Sequence, residues 1–140
     1  MRSQVFAADG SLLATLHGAE NRDPVPLEAM PTTIKDAVLS VEDAQFYEHI
    51  GINLRGLLRA LVQNVQSGQV EQGGSTITQQ LVKKALLSDE RVLNRKTKEA
   101  ALAIRLEGQL SKDEILELYL NTVYFGNGAY GVQAAAETYW

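Results

Sequence analysis

Between Val41 and Gly51 the chain reads VEDAQFYEHIG, two adjacent carboxylates followed by two aromatics and a histidine at the end of an amphipathic stretch. At 100° per residue, Ile34 and Val41 fall near the centre of an apolar helical face, with Glu42 about a quarter turn away and Asp43 roughly opposite. Glu42 is therefore expected at the core boundary and Asp43 outward. A carboxyl group that loses part of its water is suited to acid or base work. The alternative is an ordinary surface acid near a helix C-terminus, and periodicity leaves both open. Thr76, Gln79, Gln80 and Lys83 share one side of a second helical stretch, a row of uncharged polar groups with a single cation. Such a row suits a ligand rich in hydroxyls and amides, although solubility and a helix cap would also explain it. ERVLNRKTKEA then sets Arg91, Arg95, Lys96 and Lys98 around Glu99, enough positive charge to hold a phosphate or pyrophosphate. Arg95 and Glu99 at i,i+4 also fit a plain surface ion pair. His49 is expected to be a hydrogen-bonded structural histidine, and neither it nor His17 has metal-site spacing.

A mostly helical chain is expected to carry these groups. VFAADGSLLATL places two apolar runs around Asp9-Gly10, a hairpin signal, and ENRDPVPLEAMP is a connector ending at Pro31. Helix one is expected from Thr32 or Thr33 to about Tyr47. Asn53 caps a second helix whose Leu54, Leu57, Leu58, Leu61, Val62 and Val65 form an apolar stripe ending at Ser67-Gly68. Thr76 and Gln79 form a capping box for helix three, which runs to about Leu87, and a fourth helix covers roughly Asp89 to Leu110. Ser111 and Glu114 cap SKDEILELYLN; YFGNGAYG interrupts it, and VQAAAETYW resumes the helix. Tyr119, Tyr124, Tyr130 and Tyr139, with Phe125 and Trp140, are read as packing residues of these last helices.

The 140 residues carry a formal net charge of −4 with both signs interspersed, which argues against a nucleic-acid partner. There are no cysteines, so disulfides and thiolate metal sites are excluded and the redox compartment stays open. No run approaches the roughly 20 apolar residues that a bilayer span needs.

Taken in order, EDAQFYEHIG, GGSTITQQ, RKTKE and KDEILELYLN resemble four successive motifs of the peptidoglycan glycosyltransferases of glycosyltransferase family 51. That family comprises the transglycosylase domain of class A penicillin-binding proteins and the monofunctional transglycosylases. The first segment fits the family pattern E-D-x-x-F-x-x-H-x-G at every fixed position, and the resemblance runs from Val41 to Tyr139. It implies a mainly α, lysozyme-like domain over 31–140, preceded by the hairpin and connector of 1–30. It also implies that Glu42 is the catalytic base and Glu99 a second catalytic acid, with Asp43, Ser75, Gln79, Gln80, Lys83, Arg91 and Lys96 binding the sugar and pyrophosphate of the donor. The implied reaction is inverting polymerisation of lipid II into β-1,4-linked glycan with loss of polyprenyl pyrophosphate. A divalent cation, magnesium or manganese, can assist, and no protein metal site is expected.

The implied partners are lipid II, the growing glycan chain and, through segment 54–65, a membrane surface. A transpeptidase domain in a parent protein is a further implied partner. The implied location is the extracytoplasmic face of the bacterial cytoplasmic membrane, although the family's usual transmembrane helix is not in this sequence. The family pattern continues past AAAETYW through a fifth motif, so the domain is expected to be truncated at its C-terminus. Two other readings compete: a lysozyme-like hydrolase with Glu42 as general acid, and a non-catalytic module that binds lipid II. The lysine and arginine cluster argues against the hydrolase, because a sugar leaving group needs a proton and not pyrophosphate stabilisation.

Overall fold

A computed structural model describes residues 2–6, 12–17, 21–59, 74–86 and 92–140. Strands β1 (Arg2–Phe6) and β2 (Leu12–His17) pair antiparallel, from Arg2 opposite His17 to Phe6 opposite Leu12. This is the expected N-terminal hairpin; its Asp9-Gly10 turn lies outside the described residues.

Helix α1 covers Thr32–Glu42 and follows Pro31, whose extended backbone and missing N–H suit the residue just before a helix. It ends five residues short of the expected Tyr47. Asp43 leaves helical geometry at φ −162° and ψ 73°, and a 3-10 turn at Phe46–Glu48 then buries Phe46. The expected phasing of α1 is also reversed. Val41 is 82% exposed, Glu42 is exposed and Asp43 is buried, because Asp43 is drawn to the start of another helix instead of following the periodicity of its own.

Asn53 caps α2, which is described over 54–59: its Oδ1 accepts the Gly56 N–H at 2.8 Å. Leu61, Val62 and Val65 of the expected stripe lie outside the described residues. Helix α3 (Ile77–Leu86) opens with the expected capping box. Thr76 Oγ1 accepts the Gln79 N–H at 3.1 Å, while Gln79 Oε1 accepts the Thr76 N–H at 3.0 Å. Helix α4 spans Val92–Glu107, and α5 spans Lys112–Leu120 behind the reciprocal Ser111 and Glu114 contacts.

β4 (Tyr124–Gly126) and β5 (Ala129–Tyr130) form a hairpin within the stretch read from sequence only as a break between helices. Asn127 at φ 48° and Gly128 at φ 77° supply the two left-handed residues that a tight hairpin turn requires. β3 (Asn21–Arg22) joins β5 in parallel, giving the order β3-β5-β4, and α6 (Val132–Tyr139) follows.

By contacts the chain forms two compact units, Met1–Val25 with Leu120–Trp140, and Pro26–Tyr119. In the first, Ala129, Ala134 and Ala135 are buried with Phe125 packed against them, and the Asn121 side chain makes hydrogen bonds to both the N–H and the carbonyl of Val25. In the second, Met30, Phe46, Ile77, Leu81, Val82, Ala103, Ile115, Leu116 and Tyr119 are buried. The described fold is mainly α, as the sequence implies.

Candidate functional site

The Pro26–Tyr119 unit contains a cleft of about 630 Å³. Its walls come from the end of α1 with the turn after it, the described start of α2, the entry and first turns of α3, and the start of α4. Glu42, Asp43, Ser75, Gln79, Gln80, Lys83, Lys96 and Glu99 all line it. Arg91 lies outside the described residues.

Helical phase divides α3 between core and cleft. Ile77, Leu81 and Val82 are buried, while Gln79, Gln80 and Lys83 line the cleft and Lys84, 100° further round, does not. Gln80 uses both ends of its amide. Nε2 donates to Glu42 Oε2 at 2.8 Å, and Oε1 accepts from the Tyr119 hydroxyl at 3.2 Å. Glu42 is thus a solvent-exposed carboxylate at the cleft wall, held by a neutral donor.

Asp43 sits beneath it. Its carboxylate accepts the Ile77 N–H at 3.1 Å and contacts His49 Nε2 at 2.9 and 3.0 Å. A carboxylate at the first N–H of α3 meets the positive end of that helix, so Asp43 couples the end of α1 to the start of α3. The expected outward position is corrected: Asp43 is an internal clamp, and His49 is the structural histidine expected. Asp43→Ala would leave a buried N–H and an imidazole without their acceptor, at a cost of about 3 kcal/mol. Chemical denaturation should show that loss, with Asp43→Asn recovering part of it by keeping one acceptor oxygen.

On the facing wall Glu99 is buried, 1% exposed, and pairs with Lys96 at 2.8 Å one turn earlier on α4. Lys96 Nζ also donates to Ser75 Oγ at 2.9 Å. Glu99 thus pairs with Lys96 at i,i+3, and the pair fixes an ammonium group against the loop that leads into α3. The Arg95 side chain lies outside the described residues.

Asn53, read from sequence only as a helix cap, also lines the cleft, as do Gln45 and Arg59. Asn53 Nδ2 donates to Gln45 Oε1 at 3.2 Å, so one asparagine both caps α2 and ties it to the turn after α1. Arg59 adds a third cation; its signal in the sequence is its place beside the leucine stripe, where it reads as a flank of the apolar face. Tyr119, read as packing, is indeed buried but carries the polar contact to Gln80.

A carboxylate held by a neutral amide, a set of amide and hydroxyl groups and three cations thus share one cleft. Such an arrangement can deprotonate a hydroxyl and stabilise an anionic leaving group. Among the described residues no cluster of three histidine, aspartate or glutamate side chains stands ready to cage a metal ion.

Residues 9–140 match the family model described as Transglycosylase. Over 137 residues, 98% of this chain, the sequence is 50% identical to penicillin-binding protein 1A of Escherichia coli (strain K12), of which the match covers 16%. Penicillin-binding protein 1A of Aquifex aeolicus (strain VF5) is 46% identical over 138 residues, 99% of this chain and 19% of that protein. Penicillin-binding protein 1F of Bacillus subtilis (strain 168) is 44% identical over 138 residues, again 99% of this chain and 19% of the relative. The chain spans less than a fifth of the length of these curated relatives.

Proposed function

The chain belongs to the transglycosylase family, glycosyltransferase family 51, and from that membership we propose that its cleft polymerises lipid II into β-1,4-linked glycan with release of polyprenyl pyrophosphate and inversion at the anomeric carbon. The observation that carries this reading is the placement of Glu42 and the cations Lys83 and Lys96 in the lining of one cleft. Glu42 takes the proton from the 4-hydroxyl of the acceptor sugar as that oxygen forms a bond to the donor's anomeric carbon. The bond from that carbon to the pyrophosphate oxygen breaks, and the electron pair leaves with the pyrophosphate. Lys83 and Lys96 balance the charge that develops there, and Ser75, Gln79 and Gln80 offer hydrogen bonds to sugar and phosphate oxygens. Arg91 is included on motif position alone. A magnesium or manganese ion brought with the substrate would supply further charge neutralisation at the pyrophosphate, and no step is assigned to it.

Leu54, Leu57 and Leu58 are exposed on α2, which supports a membrane-facing role for segment 54–65. No helix among the described residues is long and apolar enough to cross a membrane. The relatives' penicillin-binding name supports a transpeptidase domain in the parent protein, and the location that goes with the proposed reaction is the extracytoplasmic face of the cytoplasmic membrane.

Labelled lipid II, offered to the chain with magnesium or manganese, should give glycan polymers, whereas isolated cell wall should stay intact. Wall digestion without polymer would mark a hydrolase, and lipid II binding without turnover would mark a binding module. Glu99→Gln should lower turnover by about tenfold, the equivalent of 1.4 kcal/mol in the barrier, because Lys96 would lose the carboxylate that aims it. Lys96 is half exposed, so melting should move little. Turnover equal to the unchanged chain at every ion concentration would remove Glu99 from the site.

A further inference from the structure

Tyr119 lies on α5, which contributes no residue to the cleft lining, and its ring is 2% exposed among the core of the Pro26–Tyr119 unit. Packing explains the ring. It does not explain the hydroxyl, which donates to Gln80 Oε1 at 3.2 Å. The other end of the same amide donates to Glu42 Oε2 at 2.8 Å. A side-chain amide can turn end for end, and here the two orientations are not equivalent. Turned over, Gln80 would set its carbonyl oxygen against the Glu42 carboxylate, and two acceptors would repel. As placed, it offers an N–H to Glu42 and a carbonyl to a phenol. Burial first, and the Glu42 charge second, push Tyr119 up to about 12, so at neutral pH the phenol keeps its proton and remains a donor.

We infer that Tyr119 is a positioning residue for the base: through Gln80 it holds Oε2 of Glu42 and leaves Oε1 as the oxygen that takes the acceptor's proton. The inference rests on the glycosyl-transfer reading above. The chemistry favours a neutral relay. A lysine against Glu42 would hold it more tightly but would also stabilise the carboxylate against taking a proton, whereas an amide orients it with a weaker electrostatic penalty. The cations of the cleft are thereby left for the leaving group. The relay also links α1, α3 and α5, so the orientation of the base is set from the core and not by solvent.

The test combines side-chain amide NMR of Gln80 with lipid II kinetics in the chain, for Tyr119→Phe, Gln80→Met and the double variant. Phe keeps the ring and its packing and removes only the hydroxyl. Tyr119→Phe should shift the Gln80 amide resonances and lower kcat about five- to tenfold with KM unchanged, the size expected from one lost neutral hydrogen bond. On the Gln80→Met background the same change should have no further effect, since the relay is already cut. A purely structural tyrosine would give additive losses. Gln80 resonances unmoved by Tyr119→Phe would overturn the inference whether or not the chain turns over lipid II, and so would shifted resonances with unchanged kcat or additive losses in the double variant. A folded chain with no turnover at all would instead sink the glycosyl-transfer reading, and with it any role for Tyr119 in positioning a base.

Discussion

Glu42→Gln should reduce lipid II polymerisation by about 10²- to 10⁴-fold while leaving lipid II binding close to that of the unchanged chain. The amide matches the carboxylate in shape, and its carbonyl oxygen can still accept the 2.8 Å hydrogen bond from Gln80 Nε2. What disappears is the ability to take a proton from the acceptor hydroxyl. Glu42 is exposed, so the fold should tolerate the change within about 0.5 kcal/mol. The donor contacts proposed for Ser75, Gln79, Lys83 and Lys96, which line the cleft, are untouched, which is why binding should persist. Polymer formation by a folded Glu42→Gln chain at a rate near that of the unchanged one would show that the base is elsewhere.

Gly51→Ala should destabilise the fold by about 2 to 5 kcal/mol, a large share of the stability of a small domain. Two independent effects add. Gly51 sits at φ +84°, where a side chain costs about 1–2 kcal/mol. A Cβ there would also stand 2.7 Å from the carbonyl carbon of Ala103 and 2.8 Å from its oxygen, so the α4 backbone itself would have to move, at a cost of about 1–3 kcal/mol. Activity should fall with stability, because Glu99 lies one turn before Ala103 on α4 and a displaced helix carries the Lys96 pair with it. Thermal unfolding is the direct measurement, with a fall in Tm on the order of 10 °C expected. A loss below about 1 kcal/mol would mean that α4 gives way easily at this contact.

The helix starts were legible in sequence because caps are local. Asn53, the Thr76 and Gln79 pair, and the Ser111 and Glu114 pair each satisfy backbone groups within three residues, and each stands where the sequence places it. The end of α1 was not legible. Its cause, the Ile77 N–H, lies 34 residues further along the chain, and a periodicity argument weighs only the residues of one helix. That distant contact places Asp43 inside and Val41 outside. The β4 and β5 hairpin was passed over for the opposite reason: Asn127-Gly128 is a strong turn signal, but strands of three and two residues are too short to show alternation. For the cleft, composition pointed to the amide row of α3 and the cations near Glu99, and the motif resemblance joined them. Tyr119 was assigned to packing because the bulk of its ring gives no sign of where a hydroxyl finds its acceptor.

The parallel pairing of Asn21–Arg22 with Ala129–Tyr130 bears on the order in which the molecule can be made. The unit to which it belongs draws on both ends of the sequence, while Pro26–Tyr119 is a single continuous stretch. A ribosome adds about 5–20 residues per second, so β3 emerges roughly 5 to 20 seconds before its partner strand exists. The continuous stretch, which holds the described lining of the cleft, is complete about ten residues before that partner strand begins. The discontinuous unit can only close afterwards, and its early segment must wait as an unpaired edge, the species that chaperones and aggregation compete for during translation.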